Sequence, residues 1–251
     1  MGHAMRIAGL FHEHTPEAIR ARLARGPQPS YLRDWIYGGI DGAVTTFAIV
    51  SGVVGAHLAT GIILVLGAAN IVADGFSMAA SNYTGTKSER EEYDRIRAYE
   101  EHQIVHDRAG EIQEVREIYR AKGFDGDDLE RAVEIITEEK ERWVSTMMTE
   151  EYGVPLSERS PAKAAAGTFF AFLLCGLVPL LPFTMTPWLF AQDEAFVVSI
   201  VVTGLTFFVI GSVKSLWSVV TWWRSGAETL FIGLAAAGIA YLIGYWLRSL
   251  A

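Results

Sequence analysis

Five stretches of the chain are apolar and nearly free of charge: residues 38–58, 62–82, 164–182, 195–215 and 227–247. A helix needs roughly 20 apolar residues to cross the hydrocarbon of a bilayer. One such run could be a buried core helix, but five with so little internal charge read as membrane-spanning helices. The second and third runs are separated by a different pattern. There the apolar positions recur at helical spacing and the positions between them are charged, as in amphipathic helices that cover a small core. The expected fold is therefore an all-α membrane protein, with five transmembrane helices and a cytosolic helical insert between spans 2 and 3. Its parts are a tail over 1–34, spans 1 and 2 over 35–85, the acidic insert over 86–160, and spans 3 to 5 over 161–251.

Local signals refine this outline. The loop at 57–61 is short, so spans 1 and 2 form an antiparallel hairpin. Only Gly85 interrupts the chain after Tyr83, so span 2 is expected to run on into the insert as one long helix. Within the insert, 88–122 reads as helix with a break at Gly110, and the Gly- and Asp-rich segment 123–128 as a turn. A second amphipathic helix follows, with Leu129, Val133, Ile136, Trp143, Val144 and Met147 on its apolar face. Pro179 and Pro182 are expected to end the third span. In the tail, Thr15 followed by Pro16 marks a helix start.

Composition sharpens the contrast. The chain is 51% hydrophobic, with a mean hydropathy of +0.24. Residues 86–158 hold 21 acidic and 11 basic residues, a net charge of −10; the rest of the chain carries +2, and the whole −8. This acidity argues against nucleic acid as a partner, because phosphate binding needs a basic surface. It favours cations. The single cysteine, Cys175, allows no intrachain disulfide and no cysteine metal site. No cleavable secretory signal is read at the N-terminus; the first span would itself direct insertion. Basic residues cluster in the tail, at Arg159 and Lys163, and at Lys214 and Arg224, while 57–61 and 183–194 lack them. By the positive-inside rule the N-terminus and the insert face the cytosol and the C-terminus the far side, with Arg248 a minor exception.

Carboxylates inside the spans are the first candidate chemistry. An acid within a span costs roughly 2.5–3.5 kcal/mol on insertion scales and is a functional-site hypothesis by default. Asp41 lies on a face with Gly38, Thr45, Ala48, Gly52 and Gly55, and this small, polar stripe should meet another helix rather than lipid. Gly38 and Gly42 have the spacing that lets membrane helices approach closely. In span 2, Asn70, Asp74, Met78 and Asn82 recur every four residues, with Ser77 and Ser81 beside them. A thioether one turn from a carboxylate suits late divalent first-row metals better than Ca²⁺ or Mg²⁺.

The insert offers a second set. Glu100, Gln103, Asp107, Glu111, Glu114 and Ile118 share one face at helical spacing, and His102 and His106 lie one turn apart beside it. A solvated face is the ordinary reading of an acidic stripe, but here the stripe itself carries repeated carboxylates rather than mixed signs, and such a row repels unless a cation intervenes. The second helix ends in Met147-Met148-Thr149-Glu150-Glu151, where Met147 reads as core and Met148 with Glu151 as a ligand pair. The Glu-x-x-His pairs of ferritin-like di-iron bundles are absent. His3, His12 and His14 are scattered tail residues.

The motif Asp41-Gly42-Ala43-Val44-Thr45-Thr46-Phe47 with Ser51-Gly52, and then Ala73-Asp74-Gly75-Phe76-Ser77-Met78-Ala79-Ala80, resembles the vacuolar iron transporter family over about 34–246. The resemblance implies a carrier of Fe²⁺, and often Mn²⁺, out of the cytosol, driven by protons. It implies a homodimer whose path lies between the two copies of span 1. The membrane site would use Asp41 and Met78, with Asp74 and Thr45 along the path. The insert would bind metal through Glu100, Glu111, Glu114, Met147, Met148 and Glu151. Gln103 stands where the family has Glu, with His102 and His106 as auxiliary donors, and Asn82 stands where an acid is common. No organic cofactor is expected. The membrane would be the cytoplasmic membrane in a prokaryote or the vacuolar membrane in a eukaryote. The alternatives are a membrane-anchored ferroxidase working through the insert, and a metal-binding scaffold.

Overall fold

In the computed structural model, residues 13–26, 28–154, 159–186, 188–189 and 191–250 are described, and among them every regular element is a helix. In chain order these are α1 (Pro16–Arg25), α2 (Leu32–Gly55), α3 (Thr60–His106), α4 (Arg108–Ala121), α5 (Gly126–Glu138) and α6 (Lys140–Glu150), followed by α7 (Pro161–Leu177), α8 (Leu181–Thr184), α9 (Gln192–Lys214) and α10 (Trp222–Leu247). The chain divides into two compact units. One comprises Ser30–Glu89 with Ser160–Ala251, the other Met1–Pro29 with Arg90–Arg159. We call them the membrane unit and the polar unit.

Five helical stretches are long and apolar enough to cross a membrane: Leu32–Gly55, Thr60–His106, Pro161–Thr184, Gln192–Trp217 and Trp222–Leu250. The outer faces of α9 and α10 expose Val197, Val201, Leu205, Val209, Phe231, Ile239 and Trp246. In water such a surface would be an aggregation site; in a bilayer it faces the solvent it suits. The chain is thus an integral membrane protein of five apolar spans.

α2 is the hub of the membrane unit. It is 56% buried over its apolar stretch, against 11% for α10. Glycine makes this possible. A Cβ on Gly38 would lie 2.3 Å from the backbone oxygen of Thr168, and one on Gly42 2.4 Å from that of Phe172, so α7 packs backbone to backbone on the first half of α2. The second half meets α10, where a Cβ on Gly244 would lie 2.0 Å from the Gly52 oxygen. The expected Gly-x-x-x-Gly contact is therefore present. The stripe that begins at Gly38 does not serve a single neighbour, however: it meets α7 near Gly38, α3 at Thr45, and α10 at Gly52 and Gly55. Between these contacts Ala43, Phe47, Val50 and Val54 pack with Ile63, Ile71, Leu180, Phe183 and Phe207 in one apolar core.

α2 and α3 form the expected hairpin. The chain reverses at His57, whose φ of 58° is the left-handed conformation common just past a helix end. Gln192 closes the turn from the side, donating to Leu58 O at 2.9 Å and accepting from Thr60 Oγ1 at 3.1 Å. α3 then runs unbroken to His106, as the lack of breakers predicts.

Three boundaries differ from the sequence reading. The third span does not end at its prolines. It continues through a 3₁₀ turn, Val178–Leu180, into α8, because each Pro sits in the first positions of a new short helix, where no N–H donor is needed. Ser199 Oγ satisfies the freed Pro179 carbonyl at 2.8 Å. In the polar unit the break falls at Asp107 rather than Gly110: Asp107 caps α4 by accepting from Gly110 N at 3.1 Å. The second amphipathic helix is two helices, α5 and α6, parted at Glu139, whose backbone is extended. A straight helix would have placed Lys140 on the apolar face; the break frees it to pair with Glu101 at 2.7 Å. Leu129, Val133, Trp143, Val144, Met147 and Met148 then share one core with Ile96, Ile104 and Val115.

Candidate metal sites

The first site lies where α2 and α3 meet. Asp41 on α2 is half-buried, and Asp74 on α3 is near enough for the two like charges to interact. Thr45 Oγ1 donates to the Asp41 carbonyl at 2.8 Å and accepts from Asn70 Nδ2 at 3.3 Å, so it orients the helix pair. Met78, half-buried, follows one turn after Asp74; Asp74 itself is exposed on the outer face of α3. The two membrane acids thus lie within electrostatic reach of each other, and the thioether is on the same helix as one of them.

Asn82 belongs to a separate network. Its amide nitrogen donates to Asp34 Oδ1 at 2.8 Å, Thr168 Oγ1 at 2.7 Å and Ala164 O at 3.3 Å. Its oxygen accepts from Thr86 Oγ1 at 3.3 Å. One side chain of α3 thereby ties α2 to α7. Asp34, only 4% exposed, was not among the residues singled out by sequence. Its position at the charged end of a span gave no periodic signal.

The second site is in the polar unit. Glu100, near the end of α3, is 1% exposed, and Glu111, in the first turn of α4, is 4% exposed. Glu100 Oε1 accepts from Tyr152 Oη at 2.8 Å. The second oxygen of each acid, Oε2, is buried and no donor group reaches it, while the two carboxyls lie against each other. Burial without compensation disfavours the charged form. It pushes Glu111 up to about 7, helped by the nearby charges of Glu100, Glu114 and Glu151. Burial likewise raises Glu100, although the Tyr152 hydroxyl opposes the rise. Glu151 is raised by burial and then by Glu114 and Glu100. Glu100, Glu111, Glu114 and Glu151, expected as ligands, therefore sense one another across α3, α4 and the end of α6.

Elsewhere in this unit the acids are answered by bases. Glu101 pairs with Arg97 and Lys140, Glu141 with Arg97, Glu130 with Arg116, and Glu150 with Lys122. None of the four clustered glutamates is in an ion pair among the described residues. The charge of the unit is sorted: mixed signs over most of the surface, one sign at this spot. Met147 and Met148 are fully buried in the apolar core beside it.

The remaining candidates sit less centrally. Gln103 Nε2 donates to Tyr99 Oη at 3.2 Å. His102 and His106 are exposed and stacked, with ring centroids 3.8 Å apart and planes 13° from parallel; His106 Nδ1 lies 2.7 Å from the His102 carbonyl oxygen. Stacked rings send their in-plane lone pairs side by side rather than to one point. Asp107, expected on the ligand face, is the cap of α4 instead. His3 and His12 lie outside the described residues. Among the described residues no three His, Cys, Asp or Glu side chains are already drawn together at metal-holding distances. The glutamates are electrostatically coupled without being gathered at metal-holding distances. Tyr152, which holds Glu100, was missed by sequence because a tyrosine after two acids carries no ligand pattern.

Comparison with known proteins adds an independent line. A family model described as the VIT family matches residues 32–245. The chain is 33% identical to vacuolar iron transporter 1 of Arabidopsis thaliana over 215 residues, 84% of each chain. It is 33% identical to the vacuolar iron transporter of Toxoplasma gondii over 227 residues, 87% of this chain and 74% of that one. It is 29% identical to vacuolar iron transporter 2 of Oryza sativa subsp. japonica over 233 residues, 92% of this chain and 91% of that one.

Proposed function

The chain belongs to the VIT family, and on that premise we propose that it carries Fe²⁺, and Mn²⁺ as a second substrate, out of the cytosol in exchange for protons. The observation that carries this reading is the pair Asp41 and Asp74, two carboxylates within range of each other's charge inside apolar spans. Such a pair is costly in a bilayer unless a cation or protons balance it. A divalent ion neutralises both acids. Protons arriving from the far side would convert them to poor ligands and release it. Met78 supplies a thioether on the same face of α3, which favours first-row transition ions over Ca²⁺ and Mg²⁺.

The polar unit collects the ion on the cytosolic side. Glu100 and Glu111 each keep a buried oxygen that no donor group reaches, and Glu114 and Glu151 add charge at the rim. Met147 and Met148 lie in the adjoining core, where a small shift of α6 would present a thioether. Gln103 lowers the charge of the site by one relative to a glutamate at that position, and His102 and His106 become auxiliary donors on rotation out of their stack. The chain works as a carrier rather than a catalyst, with metal as cargo and no organic cofactor.

Two copies assemble along the edge where α2 meets α3. Asp74 faces outward from a single chain, and a second copy would cover it and bring two Asp41 residues toward one path. The membrane is the cytoplasmic membrane of a prokaryote or the vacuolar membrane of a eukaryote, with the N-terminus and the polar unit in the cytosol.

Reconstitution tests this directly. Proteoliposomes with an imposed pH gradient should accumulate Fe²⁺ under anaerobic conditions, and Mn²⁺ should compete. Asp41→Ala should reduce flux to the level of empty liposomes while the protein still elutes as a folded species. Undiminished flux in that variant would sink the mechanism.

A further inference from the structure

We infer that Tyr152 is a positioning residue that sets the ion selectivity of the polar unit, by holding one oxygen of Glu100 and leaving only the other for metal. The inference rests on the reading that this unit collects the transported ion. Its basis is geometric. Tyr152 Oη donates to Glu100 Oε1 at 2.8 Å, whereas no donor group reaches the buried Glu100 Oε2, which lies on the side of the Glu111 carboxyl. Glu100 is 1% exposed, so no solvent competes for either oxygen. Tyr152 lies beyond the end of α6 and 37% of it is exposed, and its hydroxyl is also within reach of Glu151.

The consequence follows from coordination chemistry. Ca²⁺ takes six to eight oxygens and commonly takes both oxygens of a carboxylate. A carboxylate with one oxygen already committed to a phenol binds through a single oxygen. That geometry suits smaller divalent ions, which accept six donors at shorter distances. Glu111 also has a buried oxygen that no donor group reaches, and its carboxyl lies against that of Glu100. A site in which Glu100 ligates through a single oxygen suits a small divalent ion and is a poor one for Ca²⁺. A cytosolic collector needs this discrimination, since thioethers reject Ca²⁺ only where they actually bind.

The test uses the full chain in nanodiscs with Mn²⁺ as probe, read by electron paramagnetic resonance, and Ca²⁺ as competitor. Four proteins are compared: wild type, Tyr152→Phe, Tyr152→Ala and Glu100→Gln. Far-UV circular dichroism confirms equal helix content. Tyr152→Phe keeps the ring and loses only the donor, so the Ca²⁺ to Mn²⁺ affinity ratio should rise about tenfold, the scale of one hydrogen bond to a charged group. Tyr152→Ala should give the same ratio. A normal ratio in Tyr152→Phe would overturn the inference, and a rise in Tyr152→Ala alone would assign the effect to ring packing, which overturns it equally. If Glu100→Gln binds Mn²⁺ as wild type does, the collecting role itself falls. If Glu100→Gln loses sites while Tyr152→Phe does not change selectivity, only the role of Tyr152 fails.

Discussion

Asp34 in the membrane unit and Glu100 in the polar unit are both acids removed from solvent, 4% and 1% exposed, yet they have opposite surroundings. Asp34 is met by the Asn82 amide, which also gathers Thr168 and the Ala164 carbonyl. Glu100 is met by one phenol on one oxygen; no donor group reaches its other oxygen, and its nearest charged neighbours are other acids, Glu111 and Glu114. Burying a charge is costly unless it is paired and hydrogen-bonded. The first site has been satisfied by neighbouring side chains and works as a tie between helices. The second has fewer donors than its two oxygens could take, and none of its four acids has a basic partner among the described residues. Burial alone does not find a site; burial with an open valence does.

The sharpest way to break this comparison is to make the satisfied site resemble the unsatisfied one. Asn82→Asp removes both amide donors and sets a second acid against Asp34. Breaking a buried charged contact in this way should cost about 3–5 kcal/mol. A large drop in the detergent melting temperature is expected, with recovery when Asp34→Asn is added to restore a donor and an acceptor. A melting temperature unchanged from wild type would show that Asp34 is not held by Asn82 in the folded protein.

Acidity separates the two sites next. Glu111 is held at about 7 in the fold, above the ordinary carboxylate value of 4.5, and Glu100 and Glu151 are displaced the same way. Between those values the folded state binds more protons than the unfolded state. Stability of the metal-free polar unit should therefore fall as pH rises from 4.5 to 7, by about 3 kcal/mol from Glu111 alone, and level off above. Amide hydrogen exchange in α4 to α6 of the full chain, corrected for intrinsic rates, would read this slope. Glu111→Gln should flatten it, and saturating Mn²⁺ should reverse it, because metal binds the ionised acids. A flat profile in the wild type would mean that the cluster is open to water.

The same contrast explains what sequence could and could not reveal. The spans were legible because a bilayer demands a length of apolar residues that nothing else in the chain imitates. The unbroken α3 was legible from the absence of breakers, and the close approach at Gly38 and Gly42 from their spacing. The end of the third span was not, since a proline that starts a new helix looks the same in sequence as one that stops an old one. In the polar unit, periodicity placed Glu100, Glu111 and Glu114 on one face, and the break at Asp107 still left Glu100 and Glu111 within each other's field. The same periodicity wrongly enlisted Asp107, whose short acceptor was needed for a cap. Partners that come from other elements left no trace in local pattern. Tyr152 on Glu100 and Asn82 on Asp34 are contacts across 52 and 48 positions of chain, and only the fold brings them together.

The smallest expected effect concerns the acids that are paired. Arg97 donates to both oxygens of Glu141, at 2.8 and 2.7 Å, and to Glu101 at 3.1 Å, at the edge of the same unit. Its guanidinium is held well above its usual range by the Glu141 hydrogen bonds. That is an intense local interaction, but both partners have access to water, and surface ion pairs contribute little after the entropy of holding two long side chains. Arg97→Ala should lower stability by about 1 kcal/mol, at the upper end for such pairs because one arginine serves two acids. Mn²⁺ affinity should be unchanged, since Glu101 and Glu141 are not among the coupled acids. The outcome is informative in either direction of failure. A loss of metal binding in Arg97→Ala would mean that the ion-paired surface and the glutamate cluster are one electrostatic system, and the division drawn between satisfied and open acids would no longer hold. A gain in affinity would mean that Arg97 repels the incoming ion, and that the paired acids shield the cluster rather than standing apart from it.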